Sequence, residues 1–145
     1  AAYSSSARSY ATLGAAVSGD VSVSADVSPN GLRYAGVIAR AASADGSKDH
    51  YAGWLDPNGA VHLARRNGYV YSYLADGAVS PIDHRLTLKV TGSGASVQVA
   101  LLVDGVPTLS VTDSSAQALS GPGKVGLFEY QGSGAAFDNF LVSAP

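Results

Sequence analysis

Between residues 51 and 73 the chain gathers Tyr51, Trp54, Tyr69, Tyr71 and Tyr73, interleaved with His62, Arg65, Arg66 and Asn67. Flat aromatic faces suit the apolar side of a pyranose ring, and planar hydrogen-bonding groups beside them suit its hydroxyls. The chemistry these types can do is to hold a sugar without altering it. Period-two alternation places Tyr69, Tyr71 and Tyr73 on one face of a strand. Either that face is open to a ligand, or it belongs to the core with the hydroxyls reaching the rim. Trp54 alternates with Ala52 and His50, a face polar at one end, and is expected to face solvent. Arg40 closes an apolar run, where it can fork onto a carboxylate or a sugar hydroxyl; a structural ion pair uses the same geometry. Asp83-His84-Arg85 opens a later strand and is expected to rim the same cleft. The candidate ligand-binding set is therefore Arg40, Tyr51, Trp54, Arg65, Tyr69, Tyr71, Tyr73 and His84.

Chemistry that cuts glycans asks for other residues. A glycosidase needs two carboxyl groups flanking the bond, one of them able to donate a proton. The chain has a single Glu, Glu129, with no acid at alternating neighbours. Its Asp residues at 45, 49, 56, 76 and 104 fall where turns are expected, and turn geometry favours Asp for its own reasons. A lyase needs a Tyr or His base and groups that neutralise a uronate. Arg40, His62, Tyr71, Tyr73 and Gln131 are suitable types, so that alternative stays open. No Ser stands in a Gly-x-Ser-x-Gly elbow. The three His are too dispersed to suggest zinc, and the absence of Cys removes disulfides, thiolate metal sites and cysteine nucleophiles. No catalytic residue is assigned.

The elements that must position these groups are strands. At 145 residues, with 46% hydrophobic and 14% charged side chains, the chain suits one ordinary domain with one core. A net charge of −2, with the basic residues scattered, lacks the footprint of nucleic-acid or anionic-membrane binding. No apolar run approaches a membrane-spanning helix. No signal peptide is present and the first residue is Ala, so a leader is expected to have been removed or to lie outside this sequence. A Ser/Thr/Gly/Ala-rich composition poor in Lys and Glu leans towards an exported protein.

Val21, Val23, Ala25 and Val27 alternate with polar residues as in a half-buried strand, and Pro29-Asn30-Gly31 turns the chain. Leu32 to Ala42 is nearly continuous apolar sequence, which suits a central strand buried on both faces. Further strands are expected at His50–Asp56, Val61–Arg66, Tyr69–Leu74, His84–Val90, Ser96–Val103, Val106–Val111, Val125–Tyr130 and Phe137–Val142. Asn67-Gly68 and Asp104-Gly105 read as tight hairpin turns, and one helical turn is expected at Ser114–Ala118. Ten or eleven strands spaced by about ten residues predict a two-sheet sandwich.

The order of these signals resembles a known family. Tyr34-Ala35-Gly36-Val37-Ile38-Ala39-Arg40, Tyr51-Ala52-Gly53-Trp54-Leu55, Gly59-Ala60-Val61-His62-Leu63-Ala64-Arg65, Leu86-Thr87-Leu88-Lys89-Val90-Thr91-Gly92, Val103-Asp104-Gly105, Gly123-Lys124-Val125-Gly126-Leu127 and Phe137-Asp138-Asn139-Phe140-Leu141-Val142 follow one another. Over residues 9 to 143 the chain is similar to the concanavalin A-like, LamG-type jelly-roll domains of bacterial extracellular carbohydrate-active proteins. The resemblance implies an all-β antiparallel jelly-roll sandwich. It also implies an extracellular setting, a polysaccharide or oligosaccharide partner, and neighbouring domains of a parent chain. The superfamily holds hydrolases, lyases, lectins and passive spacers, so a fold of this kind leaves the function to the site. The paired Glu and Asp of its laminarinase-like enzymes have no counterpart here, nor do the Arg-x-Glu-x-Arg and Gln-x-His strands of its lyases. A non-catalytic carbohydrate-binding module is the expectation, with a structural or adhesive spacer and an unfamiliar lyase or hydrolase as alternatives. The resemblance further implies a structural Ca²⁺ held by Asp138, on the face expected to carry Phe140 and Val142. A further N-terminal strand, common ahead of the segment resembling Tyr3–Gly19, is missing, so the domain is expected to be excised or processed from a larger protein.

Overall fold

The computed structural model describes residues 8–28, 34–43, 48–130 and 135–145. Among them the β-branched and aromatic runs form eleven strands: β1 (Arg8–Thr12), β2 (Val21–Ser28), β3 (Ala35–Ala41), β4 (His50–Leu55), β5 (Ala60–Asn67), β6 (Val70–Ala78), β7 (His84–Ser93), β8 (Ser96–Val103), β9 (Val106–Asp113), β10 (Lys124–Tyr130) and β11 (Ala136–Ser143). A six-stranded sheet has the order β1-β10-β3-β4-β5-β6, and a five-stranded sheet the order β11-β2-β7-β8-β9. All pairings are antiparallel. This is an all-β, two-sheet antiparallel jelly-roll sandwich.

Inward-facing residues of both sheets, among them Val23, Val27, Val37, Leu55, Leu63, Leu86, Leu88 and Leu101, make the main core. Every residue of β3 is buried, as its continuous apolar run predicts for a central strand. One face packs on that core, and the other lies beneath a second apolar cluster on the outside of the six-stranded sheet.

Turn chemistry holds where both central residues are suited to it. Asp104 (φ 52°) and Gly105 (φ 80°) both adopt the left-handed backbone of a type I′ turn between Val103 and Val106. At the other hairpin the expectation shifts by one residue. Asn67 pairs with Val70, so the two turn residues are Gly68 and Tyr69, with Gly68 alone at positive φ. β6 then runs on to Ala78, well past the expected end. The helical turn expected near Ser114 is one turn closed by Ala118 N–H on Ser115 O at 3.1 Å. The Pro29-Asn30-Gly31 turn, Leu32, Asp45 and Gln131 lie outside the described residues.

Three irregularities break the simple alternation. In β3, Lys124 faces Ala41 while Gly126 faces Ile38, so Ala39 and Arg40 together oppose Val125, and Arg40 takes φ 51°. In β6, Tyr73 opposes Ala64 and Ala75 opposes Leu63, which makes Leu74 the extra residue. In β11 the register slips between Asp138 and Leu141, where Asn139 has φ 50°. Each bulge reverses the face of the residues beyond it.

Candidate functional site: an aromatic face on the six-stranded sheet

The outer face of the six-stranded sheet has a floor of small residues, Gly36, Ala52 and Ala64, between larger ones. Gly36 lies opposite Trp54, and a Cβ there would come within 2.0 Å of Gly53 O and 2.6 Å of Trp54 Cβ. Its bareness lets the indole settle onto the sheet. Tyr34 stacks on Trp54 at 5.7 Å, and Tyr130 stacks on Tyr34 at 4.8 Å and 10°. Tyr10 of β1 stacks on Phe128 of β10 at 5.9 Å, and Phe128 and Tyr71 meet Trp54 edge-on. Each such pair contributes on the order of 1 kcal/mol beyond its burial. Trp54 therefore lies on the expected face but is only 4% exposed, which corrects the solvent-facing expectation: neighbouring rings cover it.

A chain of hydrogen bonds anchors one end of this layer. Arg66 donates to the Tyr10 hydroxyl (2.8 Å), Tyr10 and Tyr71 hydroxyls lie 3.0 Å apart, and Tyr71 reaches His50 Nε2 at 2.9 Å. His50 Nδ1 faces the Lys48 carbonyl at 3.0 Å. A carbonyl only accepts, so Nδ1 donates there; Nε2 accepts from Tyr71, and the donors then run in one direction from Arg66 to Lys48. The Arg66 guanidinium also lies over the Tyr71 and Tyr69 rings, at 5.4 and 5.9 Å. Tyr71 is thus an anchored, half-buried ring. Tyr69 is a residue of the hairpin turn, outside β6, and is 90% exposed.

At the other end Tyr73 stands 60% exposed, edge-on to Trp54 (5.7 Å) and to His62 (5.8 Å). The His62 ring lies 5.1 Å from Trp54, with Nδ1 at 2.5 Å from Asp76 and Nε2 at 3.1 Å from Asp56. Asp76 is no turn residue: it lies within β6, and the bulge at Leu74 turns it to the same face as Tyr73. An exposed ring beside an exposed carboxylate is the arrangement here that can stack on a sugar and accept its hydroxyl protons.

Other members of the sequence-predicted set lie elsewhere. Tyr51 and Arg65 face the main core. The Tyr51 hydroxyl donates to Asp113 Oδ2 at 2.7 Å and Arg65 Nη1 donates to both Asp113 oxygens, at 2.8 and 2.7 Å. Burial, then the bond to Asp113, pushes the Tyr51 hydroxyl up; burial opposes the Asp113 carboxylate, yet the bonds from Arg65, Tyr51 and Ser115 N–H hold it below its ordinary value. Arg40, turned inward by its bulge, donates to the carbonyls of Gly19 (2.8 Å), Leu119 (2.6 Å) and Gly92 (2.7 Å), with Asp20 at 3.4 Å. It ties one sheet to the other. His84 belongs to the five-stranded sheet, where its ring meets Asp104 (2.5 Å) and the Ser80 carbonyl (2.7 Å), and it rims no shared cleft with Trp54.

Asp138 is likewise displaced. It pairs with Asp26 on the outer side of its sheet, opposite to the Phe140 side, because the bulge at Asn139 intervenes. Its Oδ1 accepts from Asn139 N–H at 2.7 Å. Among the described residues no three His, Asp or Glu side chains converge as a metal site, and Asp138 shares a surface hollow with Asp26, Asp83 and Asp104. Glu129 faces inward, opposite Ala35, and lines a cavity of ≈ 290 Å³ at the sandwich edge with Ser9, Leu127 and Phe137. Among the described residues no second carboxylate lines that cavity.

Tyr10, Tyr34, Phe128, Tyr130 and Asp76 were not singled out from sequence. The first four come from parts of the chain far from residues 51–73, and a sequence-local cluster does not reveal them; the signal available was the Gly126-Phe128-Tyr130 alternation on β10.

No family model matches the chain, and no curated protein matches it. Solved structures do. The carbohydrate-binding module CBM66 from Bacillus subtilis superposes with a TM-score of 0.75 at 19% identity, over 98% of this chain and 84% of that one. A Bacillus subtilis protein of unknown function with a galectin-like fold gives 0.71 at 15% identity, over 98% and 80%. A prokaryotic β-1,3-1,4-glucanase (lichenase) from a mouse hindgut metagenome gives 0.61 at 14%, over 85% and 58%. At these identities the likeness is one of fold, shared by binding modules and glycosidases alike.

Proposed function

We propose that this domain is a non-catalytic carbohydrate-binding module which holds a larger extracellular protein on a polysaccharide or oligosaccharide, using the outer face of the six-stranded sheet. The observation that carries this reading is the exposed Tyr73 ring seated against Trp54 and flanked by His62 and Asp76. The similar fold of the CBM66 module supports it. The inward orientation of Glu129 supports binding over cleavage, since a glycosidase needs its carboxyl pair on the ligand side. Neighbouring domains and export remain part of the proposal.

One observation favours a spacer or adhesive module instead: ring-on-ring stacking occupies the faces of Trp54 and Tyr34. The two readings separate on Tyr73→Ala. Calorimetric titration of a glycan panel should show binding by the wild type and a loss of about tenfold or more in the variant, with an unchanged melting temperature. A wild type that binds no glycan would leave the spacer reading in place, whereas a variant that binds as well as the wild type would put the sugar site away from Tyr73.

A further inference from the structure

The charge around Tyr73 narrows what that end of the face accepts. We infer that its ligand is a glycan free of carboxylate and sulfate groups, which lays a ring on Tyr73 and donates hydroxyl hydrogen bonds to Asp76; this rests on the carbohydrate-binding reading above. The ionisable neighbours of Tyr73 among the described residues are His62, Asp56 and Asp76. With two carboxylates against one imidazole, acidic groups outnumber basic ones at this end. The imidazole cannot turn a donor towards an incoming anion, because its nitrogens already meet Asp76 at 2.5 Å and Asp56 at 3.1 Å.

Asp76 is the group left to act. Its side chain is 59% exposed; only Oδ1 meets His62, and Oδ2 takes no hydrogen bond from the described residues. Asp56 meets His62 through Oδ2 alone, and its Oδ1 is buried with no hydrogen-bond partner. Two cations of the same face, among the described side chains, are engaged elsewhere. Arg66 is 8% exposed and donates to Gly68 O and the Tyr10 hydroxyl, while Lys124 donates to the Gly14 carbonyl. A uronate or sulfate here would meet like charge with no free arginine fork among the described side chains to receive it, whereas a neutral sugar supplies the donors an exposed carboxylate oxygen accepts.

The test sets neutral polysaccharides (mixed-linkage β-glucan, xylan, mannan, galactan and a fructan) against polygalacturonate and alginate, by calorimetry on the whole chain. At least one neutral glycan should bind, with an affinity that changes less than about twofold between roughly 50 and 500 mM salt, while both polyuronates bind about tenfold more weakly or not at all. Asp76→Asn should weaken the neutral ligand by about tenfold and narrow its advantage over polyuronate. If that variant does not fold, the wild-type comparison decides alone. A polyuronate that binds as tightly as the best neutral glycan overturns the inference and leaves glycan binding intact. Unchanged neutral binding in a folded Asp76→Asn protein overturns the role of Asp76. Failure of every glycan to bind overturns the carbohydrate-binding reading together with this one.

Discussion

Arg65 and Tyr51 have the side chains a sugar site needs, yet both are bound to one buried carboxylate, Asp113. Residue type does not reveal this; which face of the strand a residue occupies does. Tyr51 is paired with Arg65 across β4 and β5, and both lie on the core side. Deleting one partner of a buried ion pair leaves an uncompensated charge, which costs about 3–5 kcal/mol. Arg65→Leu should therefore lower the urea midpoint sharply, and a variant as stable as the wild type would show that Asp113 finds another donor. Tyr73 and Asp76 are the converse case. Their exposure leaves them little part in stability and makes them the residues through which a ligand is felt.

At the scale of elements, the bulges decide the site. Strict alternation from Tyr73 would send Asp76 inward, and strict alternation from Ile38 would send Arg40 outward; one extra residue in each strand reverses both. The tight approach of β3 to β4 at Gly36 has the same importance. In Gly36→Ala the new methyl would lie 2.0 Å from Gly53 O, so the strands must part; the melting temperature should fall and the emission of Trp54 should shift to the red. The connection from β6 to β7 is pinned differently. His84 meets the Ser80 carbonyl on one nitrogen and Asp104, in the β8–β9 turn, on the other. Burial alone would disfavour its charge, but the bonds to Asp104 and Ser80, with the charges of Asp104 and Asp83, raise its pKa above the ordinary value. Asp104 is lowered, chiefly by the Arg85 N–H and then by His84. The raised His contributes fully below its unfolded value of about 6.5, and that contribution is lost as pH rises through the folded value. The lowered Asp contributes above its unfolded value near 4, and loses that as pH falls through the folded one. The pair is strongest between them. Urea unfolding of wild type and His84→Gln across pH should show a difference of about 1 kcal/mol near pH 5–6 that shrinks above neutrality. A difference that grows with pH would contradict the latch.

For the whole molecule, two of the five strand pairings in the six-stranded sheet join segments distant in sequence: β1 meets β10, with Tyr10 opposite Phe128, and β10 joins β3. Closing such loops before any contact forms is slow, so refolding should take about milliseconds to seconds. Stopped-flow emission of the single Trp would register it, since Trp54 is covered by Phe128 of β10 and by Tyr71 and Tyr73 of β6. Microsecond refolding would argue that its environment forms locally. Composition, period-two patterning and turn residues sufficed for the sheet class, most strand positions and the Asp104-Gly105 hairpin, because these depend on each segment's own alternation and φ preferences. The sequence by itself also determined that the chain has one Glu and no Cys. Only the tertiary structure decided that Trp54 lies under Tyr34 and Tyr73, that Tyr10, Phe128 and Tyr130 join it, and that Arg40, Tyr51, Arg65 and His84 are structural. The physical reason is that strand pairing and single-residue bulges set which face each side chain occupies, and neither is encoded in the local pattern of the strand that carries it.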